Sequence, residues 1–301
     1  MAEPLSLPAD NRDRSVRQWL HQALASGEGA SPMLAEARER EAIADRLMAD
    51  LDDRSRLVLE ALERRYDEGE LTRLQQGLKR VLSGEPVQRV VGWTEFRGLR
   101  MGCSGEVLIP RPETEEVVGW FLRAMDGLPG DPSRRRVLDV GTGSGCMALA
   151  IQAERPGWEV VAIDLSTAAL EQAAQNASRL GLQQVNWVLA DALDLSAWPA
   201  GAFDGIVSNP PYIPHSELLE SHVHDHEPGM ALYVPDEDPL CFYAALAKAA
   251  TQKLTAPGCM VAETHYKFTQ DVAKCWQLEG AQVDVLIDLQ GAERAVSLRR
   301  N

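Results

Sequence analysis

The residues best suited to chemistry in this chain are four in a row, Asn209, Pro210, Pro211 and Tyr212, directly after an apolar run typical of a buried strand. Proline lacks an N–H and fixes its backbone angle, so carbonyl acceptors dominate the exposed backbone of such a segment. The Asn209 side chain adds another acceptor and Tyr212 adds a flat ring. This set of groups suits a planar substrate that carries an NH2.

Two acceptors beside a planar NH2 group would make its nitrogen more reactive. The lone pair of an amide or aromatic amine is delocalised, so the nitrogen is a poor nucleophile. If the Asn209 amide oxygen and the Pro210 carbonyl each accept one hydrogen, the nitrogen moves toward a tetrahedral geometry and its lone pair is freed. We predict catalytic roles for Asn209, Pro210 and Tyr212 and substrate binding by residues 209–212. The alternative is an ordinary proline turn after a strand.

A second motif is the segment Gly141-Thr142-Gly143-Ser144-Gly145, which leads from a predicted strand into a predicted helix. Glycines let a backbone turn sharply and approach a ligand closely, and the start of a helix offers free N–H groups to an anion. The spacing is G-x-G-x-G, which differs from the G-x-G-x-x-G of dinucleotide sites. It favours a ligand with a compact carboxylate and amine, such as S-adenosylmethionine, over NAD, and over a plain strand-to-helix link.

Acidic residues stand at the ends of the first three strands predicted after residue 113. Asp139 could accept from the ammonium group of the ligand, Asp164 from both ribose hydroxyls, and Asp191 from the adenine amino group. The carboxyl ends of parallel strands meet at one edge of a sheet, so these acids should face the glycine segment. The predicted cofactor residues are Gly141, Thr142, Gly143, Ser144, Gly145, Asp164, Asp191, Ala192 and Asn209.

The elements that must position these groups alternate between strands and helices. Apolar strand patterns occupy residues 136–140, 159–164, 185–189, 203–208, 259–263, 283–287 and 295–298. Helical patterns occupy residues 114–125, 145–155, 167–180, 240–254 and 269–278. This alternation predicts an α/β fold with a mostly parallel sheet covered on both faces.

The first third of the chain has a different pattern. Residues 14–81 repeat apolar side chains at helical spacing and predict several amphipathic helices. Residues 82–112 are punctuated by glycine and proline, and the apolar pieces Val87–Val91 and 107–109 predict one or two short strands. We therefore expect a small helical domain at 1–83 for substrate recognition, a β-hairpin connector at 84–112 and the ligand-binding domain at 113–301.

The bulk composition narrows the choice of partner and compartment. The 301 residues carry a net charge of −15, with an isoelectric point near 4.9, which favours a protein or small-molecule substrate over nucleic acid. The five cysteines are scattered and suggest reduced thiols in a cytoplasmic protein. No run of about 18 apolar residues occurs, and the polar N-terminus does not resemble a secretory signal, so we expect no membrane association.

Some polar residues allow two readings. His215, His222, His224 and His226 crowd the segment after Tyr212, where a solvated loop is favoured over a metal site. No metal is predicted. Arg111 could lie near the cofactor carboxylate or could cap local carbonyl groups.

Taken together, the motifs resemble those of the HemK/PrmC protein-glutamine N5-methyltransferases. The resemblance runs from about Arg17 to Arg300. It is carried by residues 139–145 (D-V-G-T-G-S-G), 209–214 (N-P-P-Y-I-P) and, most specifically, 108–115 (L-I-P-R-P-E-T-E). Residues 17–20, 84–88 and 93–96 also look like the first helix and connector of that family.

The resemblance implies a class I S-adenosylmethionine methyltransferase, with a Rossmann-like seven-stranded sheet whose last strand is antiparallel. It implies that Gly141 to Gly145 and Asp164 hold the cofactor, that Asp191 and Ala192 lie beside adenine, and that residues 209–212 hold a glutamine amide. The substrate implied is the glutamine of the Gly-Gly-Gln motif in class I peptide-chain release factors. The helical N-terminal part would help to grip that protein.

The chain departs from the family pattern at three places. Ala192 stands where an aromatic residue is common, Thr264-His265 replaces an aliphatic residue and glycine after Glu263, and the N-terminus is about a dozen residues longer. Three other functions remain open: methylation of a ribosomal-protein glutamine, N6-methylation of adenine in DNA or RNA, and a scaffold without activity. We expect a monomer without stable nucleic-acid binding.

Overall fold

The computed structural model describes residues 8, 11–26, 36–52, 65–218 and 226–301. The chain divides into two compact units. The first is built from Met1–Trp93 with Glu220–His226, and the second from Thr94–Leu219 with Glu227–Asn301. The boundaries predicted at residues 83 and 112 stay predictions.

Helices make up the described part of the first unit: α1 (Asp13–Ser26), α2 (Ala37–Asp52), α3 (Glu68–Leu82) and α4 (Val87–Val91). Their apolar faces meet in one core that includes Leu20, Leu24, Met48 and Leu78, each almost fully buried. Asp67 begins α3 with a capping box, in which its side chain accepts from the Glu70 N–H and the Glu70 side chain accepts from the Asp67 N–H.

The expectation of a strand at Val87–Val91 is wrong, because this segment is helix α4. Pro86 stands at its N-cap and Gly92 ends it with a φ of 78°, a left-handed conformation that suits glycine. Val87, Val90 and Val91 pack against the core of the first unit. A strand would have sent alternate valines away from that core. The short apolar piece at 107–109 also forms no strand.

The second unit contains the strands, except that Trp93, the first residue of the first strand, belongs to the first unit. These strands are β1 (Trp93–Phe96), β2 (Leu99–Gly102), β3 (Arg136–Val140), β4 (Glu159–Asp164), β5 (Asn186–Leu189), β6 (Phe203–Ser208), β7 (Ile213–Pro214), β8 (Tyr233–Val234), β9 (Leu254–Glu263), β10 (Ala281–Ile287) and β11 (Glu293–Arg300). The helices of the second unit are α5 (Pro112–Asp126), α6 (Cys146–Glu154), α7 (Thr167–Leu180), α8 (Cys241–Gln252) and α9 (Thr269–Cys275).

Seven of these strands form one sheet in the order β10-β11-β9-β6-β3-β4-β5. Strands β3, β4, β5, β6 and β9 run parallel, whereas β11 is antiparallel to both of its neighbours. The sequence-based expectation of a mostly parallel seven-stranded sheet with an antiparallel last strand is confirmed. The order reverses between β3 and β6, and ligands of such sheets bind beyond the strand ends at that point.

Side chains from successive strand residues enter two cores, one on each face of the sheet. In β3, Val137 joins a core with helices α5 and α6, and Leu138 joins a core with α8 and Trp276. Strand β9 begins earlier than predicted, because Leu254, which was expected to end a helix, is the first residue of the strand. This buried residue pairs with Phe203.

Among the helices that the structure describes, none is both long and apolar enough to span a membrane.

Candidate active site

A cavity of about 270 Å³ opens at the carboxyl ends of strands β3, β4 and β6 within the second unit. Eight of the nine residues predicted to bind a cofactor line it: Gly141, Thr142, Gly143, Ser144, Asp164, Asp191, Ala192 and Asn209. Pro211 lines it as well. The two motifs of the sequence therefore meet in one cavity, because the strands that carry them are neighbours in the sheet.

Three predicted site residues are not among those that line the cavity. Gly145 is buried at the start of α6, and Pro210 is buried after the end of β6. Tyr212 is half-buried, with its ring edge-on to the His265 ring at a centroid distance of 5.9 Å.

The glycine segment is held by backbone and carboxylate hydrogen bonds. The N–H groups of Gly141 and Thr142 both donate to the Ile163 carbonyl, at 2.9 and 3.0 Å. The Asp164 carboxylate accepts from the Gly143 N–H at 2.8 Å and from the Ser166 N–H at 2.9 Å. Burial raises the pKa of Asp164, although these hydrogen bonds oppose the rise. Asp164 thus ties the end of β4 to the turn after β3.

Asp139 does not line the cavity, so the contact with a ligand ammonium group suggested for it is not supported. It is fully buried, and its Oδ2 accepts from the Thr142 hydroxyl at 2.7 Å and from the Ala148 N–H at 3.1 Å. Burial raises the pKa of Asp139 to about 7. Its position beneath the turn assigns it a role in holding the glycine segment against helix α6.

Gly143 and Gly145 offer a matched pair of substitutions, because both have a left-handed backbone, with φ of 55° and 80°. A Cβ at Gly145 would lie 2.9 Å from the Ala173 Cβ and 3.0 Å from the Trp187 ring, whereas one at Gly143 would meet no atom within 4 Å. Gly143→Ala should cost about 1 kcal/mol of unfolding free energy, and Gly145→Ala about 2–4 kcal/mol. Denaturant unfolding checks the order of the two variants. Equal losses would contradict close packing at Gly145.

A chain of hydrogen bonds holds Asn209, and its first member, Thr114, also lines the cavity. Asn209 Nδ2 donates to the Thr114 hydroxyl at 3.1 Å, and that hydroxyl donates to Glu263 Oε2 at 2.7 Å. Thr114 and Glu263 are each only 2% exposed. Burial raises the pKa of Glu263 to about 7, while the Thr114 hydrogen bond and the charge of Arg294 oppose this rise.

The sequence analysis did not assign roles to Thr114 and Glu263. Each carried a signal: Thr114 lies in the specific segment 108–115, and Glu263 ends strand β9 at the same edge of the sheet as Asn209. An acid at the end of a fourth parallel strand belongs to the same pattern as Asp164 and Asp191.

Arg111 lines the cavity, so its suggested place near the cofactor carboxylate stays a prediction, and its guanidinium pairs with the buried carboxylate of Glu227. Glu227 also accepts from the Ile109 N–H at 2.9 Å. Both contacts fix the segment that follows Glu227, whose residues Pro228 and Met230 line the cavity.

The histidines after Tyr212 show no metal-binding arrangement where they are described. His215 stacks on Tyr233 with ring centroids 5.2 Å apart, whereas His222 and His224 lie outside the described residues. In the described ranges, no three His, Cys, Asp or Glu side chains are grouped as metal ligands.

His265, at one departure from the family pattern, joins the segment after Tyr212 to the segment after β9. Its Nδ1 accepts from the Lys267 N–H at 3.2 Å, so its Nε2 can donate to Glu217 Oε1, also at 3.2 Å. Lys267 Nζ contacts the same carboxylate at 2.7 Å. The segment after Tyr212 is thereby attached to the segment after β9.

Comparison with known proteins gives concordant results. Residues 137–223 match a family described as a methyltransferase domain. The chain is 35% identical to a release factor glutamine methyltransferase of Bacteroides thetaiotaomicron over 81% of this chain and 84% of that one. It is 34% identical to a release factor glutamine methyltransferase of Bacillus subtilis over 89% and 94% of the two chains. A methyltransferase structure from Pyrococcus furiosus, 19% identical, covers 68% of this chain and is itself 90% covered, with a TM-score of 0.51, and shows the fold.

Proposed function

The chain belongs to the release factor glutamine methyltransferases, and we propose that it transfers a methyl group from S-adenosylmethionine to the side-chain amide nitrogen of a release-factor glutamine. The glutamine is that of the Gly-Gly-Gln motif in class I peptide-chain release factors. The observation that carries this proposal for the site itself is the fixed Asn209 amide at the wall of the cavity.

The residues that line the cavity fit the proposed cofactor. A Cβ at Gly141 or Gly143 would meet no atom within 4 Å, so both positions leave free space beside the backbone for a ligand. We propose that residues 141–144 hold its methionine part, that Asp164 accepts from the ribose, and that Asp191 and Ala192 border the adenine. When bound, S-adenosylmethionine supplies a methyl group on a sulfonium, which is already an activated leaving group.

The chain itself has to hold the glutamine and make its nitrogen nucleophilic. Because Asn209 Nδ2 is turned toward Thr114, its Oδ1 is the atom available to accept a substrate N–H. We propose that the Pro210 carbonyl accepts the second hydrogen and that Tyr212 packs against the amide plane. Two acceptors that hold both hydrogens favour the geometry of the transition state over the flat ground state.

The first unit is proposed to take part in recognition of the release factor, with residues 1–83 as the recognition domain and 84–112 as its connector to the domain at 113–301. All five cysteines are free thiols, which fits a reducing compartment, and we propose that the protein acts in the cytoplasm.

Neither the net charge of the chain nor its relatives favour the alternative substrates. Methylation of adenine would need a surface that neutralises phosphates, and the net charge of −15 opposes this. The relatives at 34% and 35% identity are named for release factors, which favours that substrate over a ribosomal-protein glutamine.

A labelling experiment tests the proposed function. The protein is incubated with S-adenosylmethionine labelled on its methyl group and, separately, with a purified class I release factor, with the same factor carrying alanine for the motif glutamine, and with adenine-containing DNA. Label should enter the intact release factor alone. Label on DNA only, equal label on both release factors, or no label on any of the three would refute the proposal.

A further inference from the structure

Asn209 is useful as an acceptor only if its amide is held one way round. The oxygen and nitrogen ends of an asparagine amide have almost the same shape, so packing alone does not choose between them. With the NH2 end facing the substrate, Asn209 would place its own hydrogens against those of the substrate amide. Something in the protein must therefore set the orientation.

Thr114 sets the orientation of the Asn209 amide. A hydroxyl has one hydrogen to donate, and the hydrogen of Thr114 is directed to Glu263 Oε2 at 2.7 Å. Toward Asn209 the same oxygen can then offer only a lone pair, and Asn209 Nδ2 donates to it at 3.1 Å. If the Asn209 amide were turned over, two oxygens would face each other at this distance.

Glu263 is in turn a strong and well-held acceptor. It ends β9, where the Tyr243 hydroxyl donates to its backbone carbonyl at 3.0 Å. Burial and the charge of Glu113 raise the pKa of its carboxyl, whereas the Thr114 hydrogen bond and the charge of Arg294 lower it. In its ionised form the Glu263 carboxylate can only accept, and hydrogen bonds to carboxylates are stronger than those between neutral groups, so it takes the Thr114 hydrogen.

We propose that Thr114 and Glu263 are positioning residues that fix the Asn209 amide with its oxygen toward the substrate nitrogen. This inference rests on the proposed function, since it describes how the same site prepares its acceptor. Neither residue has to contact the methyl group or the substrate. Both act through Asn209, by removing the choice between two amide orientations.

Two substitutions at Thr114 separate this role from packing. Thr114→Val keeps the shape and loses the hydroxyl, whereas Thr114→Ser loses the methyl and keeps the hydroxyl. With release factor as substrate, Thr114→Val should lower kcat by about 100-fold, while Thr114→Ser should stay within about threefold of the wild type. The Kd for S-adenosylmethionine should change little in either variant. If Thr114 acted in packing alone, kcat would be lower in Thr114→Ser than in Thr114→Val.

Nuclear magnetic resonance supplies a readout that does not depend on turnover. The side-chain amide signals of Asn209 are those absent from Asn209→Ala. Their hydrogens should exchange with water at least about tenfold faster in Thr114→Val than in the wild type, and at a near-normal rate in Thr114→Ser. Unchanged exchange in Thr114→Val, or a Thr114→Ser variant as impaired as Thr114→Val, would overturn the inference. Absence of release-factor methylation by the wild type would instead refute the proposed function, and the exchange rates would still test the orientation of Asn209.

Discussion

Asn209→Ala should lower kcat for release-factor methylation by about 1000-fold, because it removes an acceptor that acts where the substrate nitrogen changes its geometry. The Kd for S-adenosylmethionine should stay within about threefold, since the glycine segment and Asp164 keep their mutual hydrogen bonds in this variant. Single-turnover kinetics at saturating cofactor and calorimetric titration of the cofactor measure the two effects separately.

Asn186→Ala is the matched control for this experiment. Asn186 is an exposed asparagine in strand β5 and is not among the residues that line the cavity. Its replacement should leave both kcat and cofactor binding as they are in the wild type. Near-normal turnover by Asn209→Ala would show that the acceptor mechanism is wrong. A parallel loss of cofactor affinity would mean that Asn209 acts mainly on the cofactor.

The meeting of the two motifs could be predicted because it depends on strand direction alone. Gly141 follows β3, Asp164 ends β4 and Asn209 follows β6, and parallel neighbours place their carboxyl ends at one edge. The positions of the central strands followed from short apolar runs, which are typical of strands that are buried on both faces of a parallel sheet. The fold of the second unit could therefore be predicted from its sequence almost strand by strand.

The hydrogen bonds that hold Asn209 could not be predicted, because they join residues that are distant in the sequence. Thr114 and Glu263 are 149 positions apart, and Asn209 is 95 positions from Thr114. Spacing rules describe neighbours on one helix or strand and do not say which side chain meets another across a sheet edge. A resemblance could mark the segment around Thr114 as specific without explaining why a hydroxyl is needed there.

The error at Val87–Val91 has a local cause. Val87, Val90 and Val91 have helical spacing (i, i+3, i+4), but five residues are too few to establish a period, and valine by itself favours a strand. The flanking residues favour a helix, because Pro86 suits its start and Gly92 suits its end. Short apolar runs between such residues are the places where helix and strand are hardest to distinguish by pattern.

Asp164→Ala should raise the Kd for S-adenosylmethionine by about 100-fold, because its carboxylate has two tasks. It accepts from the Gly143 N–H and so holds the turn that borders the cavity, and it is proposed to accept from the ribose of the cofactor. Because burial raises the pKa of Asp164, wild-type affinity should fall as the pH is lowered, and should begin to fall at a higher pH than an exposed aspartate would give. The alanine variant should lack this dependence.

Asp194→Ala separates cofactor binding from the loss of a local turn. Asp194 Oδ1 accepts from the N–H two residues later at 3.0 Å, as Asp164 Oδ1 does at 2.9 Å, but Asp194 is exposed and is not among the cavity residues. Its replacement should leave the Kd within about threefold of the wild-type value. If both variants weakened cofactor binding equally, the effect would come from the loss of a local turn and not from the loss of a contact with the cofactor. A loss confined to Asp164→Ala would instead locate the cofactor at the end of β4. Asn209 follows β6 at the same edge of the sheet, so the two motifs would then form one active site.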